Sequence, residues 1–127
     1  MDKEVIKSIL KKSHLYAFEN NFSGYSLYDS HNSFIPFNKF GKTFSFYINQ
    51  INKRSPLNLR PLLGIKKGYN PKGIGLFLYI YSNIEEYNIL NKNEQKRLCE
   101  YFFNWLCENS SPGFKNKCWG YNYEWPS

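Results

Sequence analysis

Apolar residues recur at helical spacing in four stretches of the chain. In the first, from Asp2 to about Ala17, Val5, Ile6, Ile9 and Leu10 begin an apolar stripe. Asp2 and Glu4 stand at the positive end of that helix, and Lys11 and Lys12 lie toward its negative end, which suits the macrodipole. A basic amphipathic helix can also lie on a membrane, but this stripe has no bulky aromatic anchor, which favours a solvated outer face. In the second stretch, Phe40, Phe44, Tyr47, Ile48 and Ile51 recur at i, i+4, i+7, i+8 and i+11, which predicts a helix from about Lys39 to Lys53. A turn-rich segment, Asn20 to Ser33, separates these two. Asn32 or Ser33 is placed to cap a short helical turn through Phe37, with Pro36 near its start.

Asn70-Pro71 is a helix-start signal: Asn accepts from orphan N–H groups, and Pro at the first position loses no hydrogen bond. The helix it opens, Lys72 to about Asn83, is apolar nearly all round through Ile74, Leu76, Phe77, Leu78, Tyr79, Ile80 and Tyr81, and should be buried on most sides. Its β-branched and aromatic residues would also suit a buried strand, and the start signal decides for helix. The fourth helix starts at Asn91, with Glu94 as its capping-box partner. Leu98, Phe102, Trp105 and Leu106 should face inward, and Lys96, Arg97, Glu100, Asn104 and Glu108 should face water. Ser55 to Asn70, punctuated by Pro56, Pro61, Gly64 and Gly68, and Ser110 to Ser127 read as loops. The predicted fold class is all-α, with residues 1–127 as a single domain.

Length and composition narrow the function classes. At 127 residues, 42% apolar and 20% aromatic, the chain has the means for a packed core and is not disordered. Its longest apolar run, Ile74 to Tyr81, falls well short of the roughly 20 residues a bilayer span needs, and the N-terminus lacks the apolar stretch of a secretory signal. A cytoplasmic location is expected. Cys99 and Cys107 would sit about 12 Å apart on one helix, beyond the roughly 7 Å a disulfide allows, so reduced thiols are expected. No C-x-x-C spacing suggests zinc, His14 and His31 are isolated, and neither metal nor cofactor is expected. The formal charge of +7 invites a nucleic-acid reading, but the cations are spread over several segments, and Lys, Asn, Ile, Phe and Tyr all have A/T-rich codons. Gly68 to Gly73 has the spacing of a phosphate loop, yet Ile74 and Gly75 stand where that loop needs Lys and Ser or Thr.

A weak repeat runs through the loops. Gly-Tyr occurs at Gly24-Tyr25, Gly68-Tyr69 and Gly120-Tyr121, at intervals of 44 and 52 residues, which suits one helical hairpin per repeat. If successive elements alternate in direction, the three loops share one rim. That rim would collect Tyr25, Tyr28, Asp29, His31, Asn32, Arg60, Lys66, Lys67, Tyr69, Asn70, Lys72, Trp119, Tyr121, Asn122, Glu124 and Trp125. Aromatic rings stack on the C–H faces of sugars, while carboxylates, amides and Arg pair with hydroxyls. Asp29 and Glu124, the rim carboxylates, are candidates for general acid and base across a glycosidic bond. The Asn70-Pro71 helix start beside Lys66, Lys67 and Lys72 offers a place for an anionic sugar or nucleotide-sugar phosphate.

The segments Ser55 to Gly73 and Cys118 to Trp125 resemble bacterial six-hairpin (α/α) toroid proteins, which are glycosidase-like in fold and associated with surface-polysaccharide biosynthesis. His31 departs from that pattern, which has a small or apolar residue there. The resemblance implies a sugar-handling role, and on the shared rim Tyr25, Asn32, Arg60, Tyr69, Asn70, Lys72, Trp119, Tyr121, Asn122 and Trp125 are the candidates to hold a saccharide or nucleotide-sugar ligand. Six hairpins of about 50 residues need roughly 300, so this chain supplies the N-terminal two to three. An inner helix without its neighbours would expose Leu76, Phe77, Leu78 and Ile80, and a second chain completing the ring is an expected partner. Glycosidase- or epimerase-like chemistry would need the missing hairpins. The competing reading is a basic, aromatic-rich helical module that binds nucleic acid or protein without catalysis.

Overall fold

The computed structural model describes residues 2–26 and 29–120, with the side chains of all of these except His31 and Asn38. Four α-helices carry the described residues: α1 (Lys3–Glu19), α2 (Lys42–Arg54), α3 (Pro71–Asn83) and α4 (Lys92–Glu108). Short 3-10 turns cover Asp29–Asn32, Phe37–Phe40 and Ile84–Tyr87, and no strand is present among the described residues. Among the described residues no helix is long and apolar enough to cross a membrane. The chain divides into two compact units, one made of residues 2–23 with Tyr69–Gly120, the other of Gly24–Gly68.

The first unit holds α1, α3 and α4. Asp2 caps α1 by accepting from the Glu4 N–H, Asn70 caps α3 by accepting from the Lys72 N–H with Pro71 behind it, and Asn91 caps α4 by accepting from the Glu94 N–H. The Glu94 carboxylate in turn accepts from Asn91 Nδ2 at 2.7 Å, closing a capping box through the Asn side chain instead of its backbone. Helices α3 and α4 pack through Ile74, Tyr81 and Phe102, joined by Ile84 from the following turn. Phe102 is fully buried and forms a three-ring cluster with Phe77 and Tyr81, its ring centre 5.6 and 5.7 Å from theirs. The inward and outward sides of α4 fall where its periodicity put them. Helix α3 is less enclosed than its composition predicts: Ile74 and Tyr81 are buried and Phe77 and Leu78 lean on the core, but Leu76 is 54% exposed and Ile80 42%. Tyr79 joins them on an open flank.

In the second unit, helix α2 begins at Lys42 rather than Lys39. Gly41, at φ +93°, breaks the backbone ahead of it, in a region glycine enters without steric cost. The single turn expected from Ser33 to Phe37 is instead two, one on each side of residues 33–36. Pro36 explains the gap, since it lacks an N–H and holds Ile35 out of the helical region. The buried contents of this unit are mostly polar. Ile65 and Phe37 are its apolar core, while Asp29, Ser30, Ser45, Asn49 and Asn52 are also buried. Ser45 Oγ donates to the Phe37 carbonyl at 2.9 Å, and Asn52 Nδ2 donates to Ser30 Oγ at 2.8 Å, tying α2 to the two 3-10 turns. Gly24 and Gly68, the glycines of the first two Gly-Tyr dipeptides, exchange backbone hydrogen bonds of 3.0 and 2.9 Å across an antiparallel bridge.

Candidate functional site

In the first unit a cleft of about 720 Å³ opens between α1, the turn after it, and α4. Its walls are aromatic and aliphatic: Leu15, Phe18, Phe22, Tyr69, Leu90, Leu98 and Tyr101. Polar atoms come from His14, Asn21, Glu94 and Arg97. Three of these residues, Glu94, Arg97 and Tyr101, project from α4 at i, i+3 and i+7, so one helix face delivers a carboxylate, a guanidinium and a phenol to the same wall.

The backbone at the cleft edge is strained. Asn21 and Phe22 follow the end of α1 with φ of 50° and 55°, a left-handed conformation that bulky side chains rarely adopt. Strain of this kind costs about 1–3 kcal/mol and persists where packing over-determines it. Here the packing is explicit: the Phe22 ring meets Phe102 edge-on at 4.9 Å, Phe77 at 5.3 Å and Tyr81 at 6.1 Å. The Phe22 N–H also donates to the Ala17 carbonyl at 2.7 Å, closing the end of α1.

Tyr101 donates a hydrogen bond of 3.1 Å to Tyr69, which leaves the Tyr69 hydrogen available to a bound ligand. That bond, then burial, pushes the Tyr101 pKa up to about 12, so this phenol keeps its proton at neutral pH. Tyr69 is braced on its other side by Trp105, 5.7 Å away between ring centres. His14 Nδ1 and Tyr81 Oη are 2.7 Å apart. Burial lowers the His14 pKa, with the Glu94 charge pulling the other way, and the imidazole is neutral at neutral pH. Burial alone raises the Tyr81 pKa to about 12. Arg97 is exposed at the cleft and has no ion-pair partner among the described residues. The cleft thus offers stacking surfaces, one unengaged cation and several hydrogen-bonding groups, a set suited to holding a polar ligand.

Of the residues singled out by sequence, Tyr69 lines this cleft. Asn70 is engaged as the α3 cap, and Lys72 is exposed on its first turn. Trp119 donates its indole N–H to the Leu106 carbonyl at 2.8 Å and so pins the loop after α4. In the second unit Asp29 is only 2% exposed, and both its oxygens are engaged. Arg60 Nε reaches them at 2.9 and 3.2 Å, the Ser26 N–H donates to Oδ2 at 2.9 Å, and Arg60 Nη2 donates to the Ser26 carbonyl. Tyr25 lies beside the same cation, its ring centre 5.6 Å from the Arg60 guanidinium and 5.9 Å from Lys67 Nζ. Asn32 is exposed at the end of the first 3-10 turn. Tyr28, Tyr121, Asn122, Glu124 and Trp125 lie outside the described residues.

His14, Asn21, Phe22, Glu94, Arg97 and Tyr101 were not among the sequence candidates. A signal for the last three existed in their common α4 face. The contributions of His14 and Phe22 depend on how the end of α1 turns back, which no local pattern encodes. Comparison of the chain with protein families, with curated proteins and with solved structures finds no match.

Proposed function

We propose that the chain forms the first two to three hairpins of an (α/α) toroid of the six-hairpin, glycosidase-like kind, and that it binds a saccharide or nucleotide sugar of bacterial surface-polysaccharide synthesis. The observation that carries the binding reading is the cleft itself. Tyr69, Tyr101, Phe18 and Phe22 supply ring faces for sugar C–H groups, while Asn21, Glu94 and Arg97 supply hydroxyl and anion partners. Arg97 favours a sugar that carries a carboxylate or phosphate. The toroid reading draws support from the paired glycines of two Gly-Tyr loops and from the open flank of α3, where Leu76, Tyr79 and Ile80 await further helices. A second chain would supply these. In this reading the chain binds and does not transform: Asp29 would have to release Arg60 before it could exchange a proton alongside Glu124.

Fluorescence titration tests the proposal, because Trp105 adjoins Tyr69. A glucuronic-acid oligosaccharide should quench tryptophan emission more strongly than its neutral glucose counterpart. Arg97→Ala should weaken binding of the acidic sugar by about tenfold or more, and Tyr101→Ala should weaken both. Unchanged emission with every saccharide, or unchanged affinity in Tyr101→Ala, would refute it.

A further inference from the structure

Helix α2 is inside out. Its buried residues, Ser45, Asn49 and Asn52, are polar and lie at i, i+4 and i+7. On the opposite side Phe44, Tyr47 and Ile51 lie at i, i+3 and i+7 in solvent, with Phe44 45% and Tyr47 60% exposed. Phe40 extends this ridge, its ring centre 5.6 Å from that of Phe44. Elsewhere in the same unit Phe34, Leu57 and Leu62 are also exposed. So large an apolar display marks an interaction surface.

Charge says what kind. Residues 24–68 contain seven cations and one carboxylate, a formal +6 of the chain's +7. That carboxylate, Asp29, is buried against Arg60, so among the described residues of the unit every surface charge is positive. Lys39, Lys42 and Arg54 flank the ridge at its two ends, and Lys66 adds to the same field. A protein of mixed surface charge would meet repulsion somewhere along such a rim. Nucleic acid would satisfy the cations but offers no apolar phase for Ile51, Leu57 and Leu62. An anionic bilayer surface satisfies both, since it is one-signed and accepts aromatic and aliphatic side chains at the headgroup boundary.

We propose that the Phe40–Phe44–Tyr47–Ile51 ridge of α2, with its flanking cations, docks the chain on an anionic phospholipid bilayer as a peripheral contact. This goes beyond the saccharide reading and is independent of it, because none of these residues lines the cleft. Flotation of the full chain with vesicles tests it, using phosphatidylcholine alone and phosphatidylcholine with about a third phosphatidylglycerol. The chain should float with the anionic vesicles only, and raising salt from about 0.1 to 0.5 M should weaken the association. Lys39→Gln and Lys66→Gln should each lower the partition coefficient about fivefold. Phe44→Ser combined with Tyr47→Ser should lower it about tenfold or more, with the circular dichroism spectrum unchanged because both side chains are exposed. Equal binding to the two vesicle types would overturn the proposal, as would no binding to either. So would a ridge variant that binds like the parent, or a single-stranded oligonucleotide captured at concentrations where anionic vesicles are not.

Discussion

The two units bury opposite kinds of residue. Between α3 and α4 the interior is a cluster of Ile74, Tyr81, Ile84 and Phe102, held by area and ring packing. Around α2 it is Asp29, Ser30, Ser45, Asn49 and Asn52 with little beside Ile65 and Phe37, held by an ion pair and directed hydrogen bonds. An apolar interior tolerates approximate geometry and loses stability in proportion to the volume removed. A polar one depends on each partner being present, because a group left alone retains its full desolvation penalty. The difference also explains the surfaces. Where polar residues take the inside of α2, its apolar residues are left outside, and the unit that carries nearly all of the net charge also carries the aromatic ridge.

The largest expected effect lies in the apolar unit. Phe102→Ala should destabilise it by about 3–5 kcal/mol, a large part of the roughly 5–15 kcal/mol typical of a whole domain. Urea unfolding followed by Trp105 emission reads this directly. An effect of similar size is expected in the polar unit if one partner alone is removed: Arg60→Ala strands Asp29 and should cost about 3–5 kcal/mol. Residues 24–68 contain no tryptophan, so amide exchange of Ser26 to Ser30 is the appropriate readout. Replacing Asp29 and Arg60 together with leucine should cost less than Arg60→Ala. If the double change were the more damaging, the contrast between the two interiors would fail.

In the apolar unit, mild acidification should produce a smaller effect through His14. His14 has a folded-state pKa below its ordinary 6.5, so the unfolded chain binds the proton more readily. The stability held by the neutral ring is therefore complete above about pH 6.5 and is lost as pH falls toward the folded value. His14→Leu should flatten the acid side of the thermal-stability profile, and an unaltered profile would show that the contact with Tyr81 contributes nothing there. Least of all, Tyr47→Ser, at a side chain 60% exposed, should shift stability by no more than about 0.5 kcal/mol in thermal melts. A large loss would mean that the α2 ridge is covered in the free chain.

The helices were legible because their signals are local. Asn70-Pro71 and Asn91 with Glu94 act through groups one turn away, and both caps form as the pattern predicts. Gly41 shows the limit of periodicity: Phe40 keeps step with α2, yet the glycine ahead of Lys42 breaks the helix after it. The cleft was harder to read. Tyr69 was reached through its loop motif, but its partner Tyr101 lies 32 residues on and meets it only through the packing of α3 on α4. Asp29 stood out as a carboxylate for chemistry, whereas Arg60 takes up its charge from 31 residues away.

Sequence alone determined that the described chain is built of helices, where the capped ones begin, and which residues share a face, since periodicity and caps act within a turn or two. Only the tertiary structure decided which of those faces has a neighbour. For α4 the apolar face does; for α2 the polar one does, because Ser30 and the Phe37 carbonyl present hydrogen-bond partners to Asn52 and Ser45. Burial is a property of pairs of surfaces, and a single helix carries the pattern of one member only.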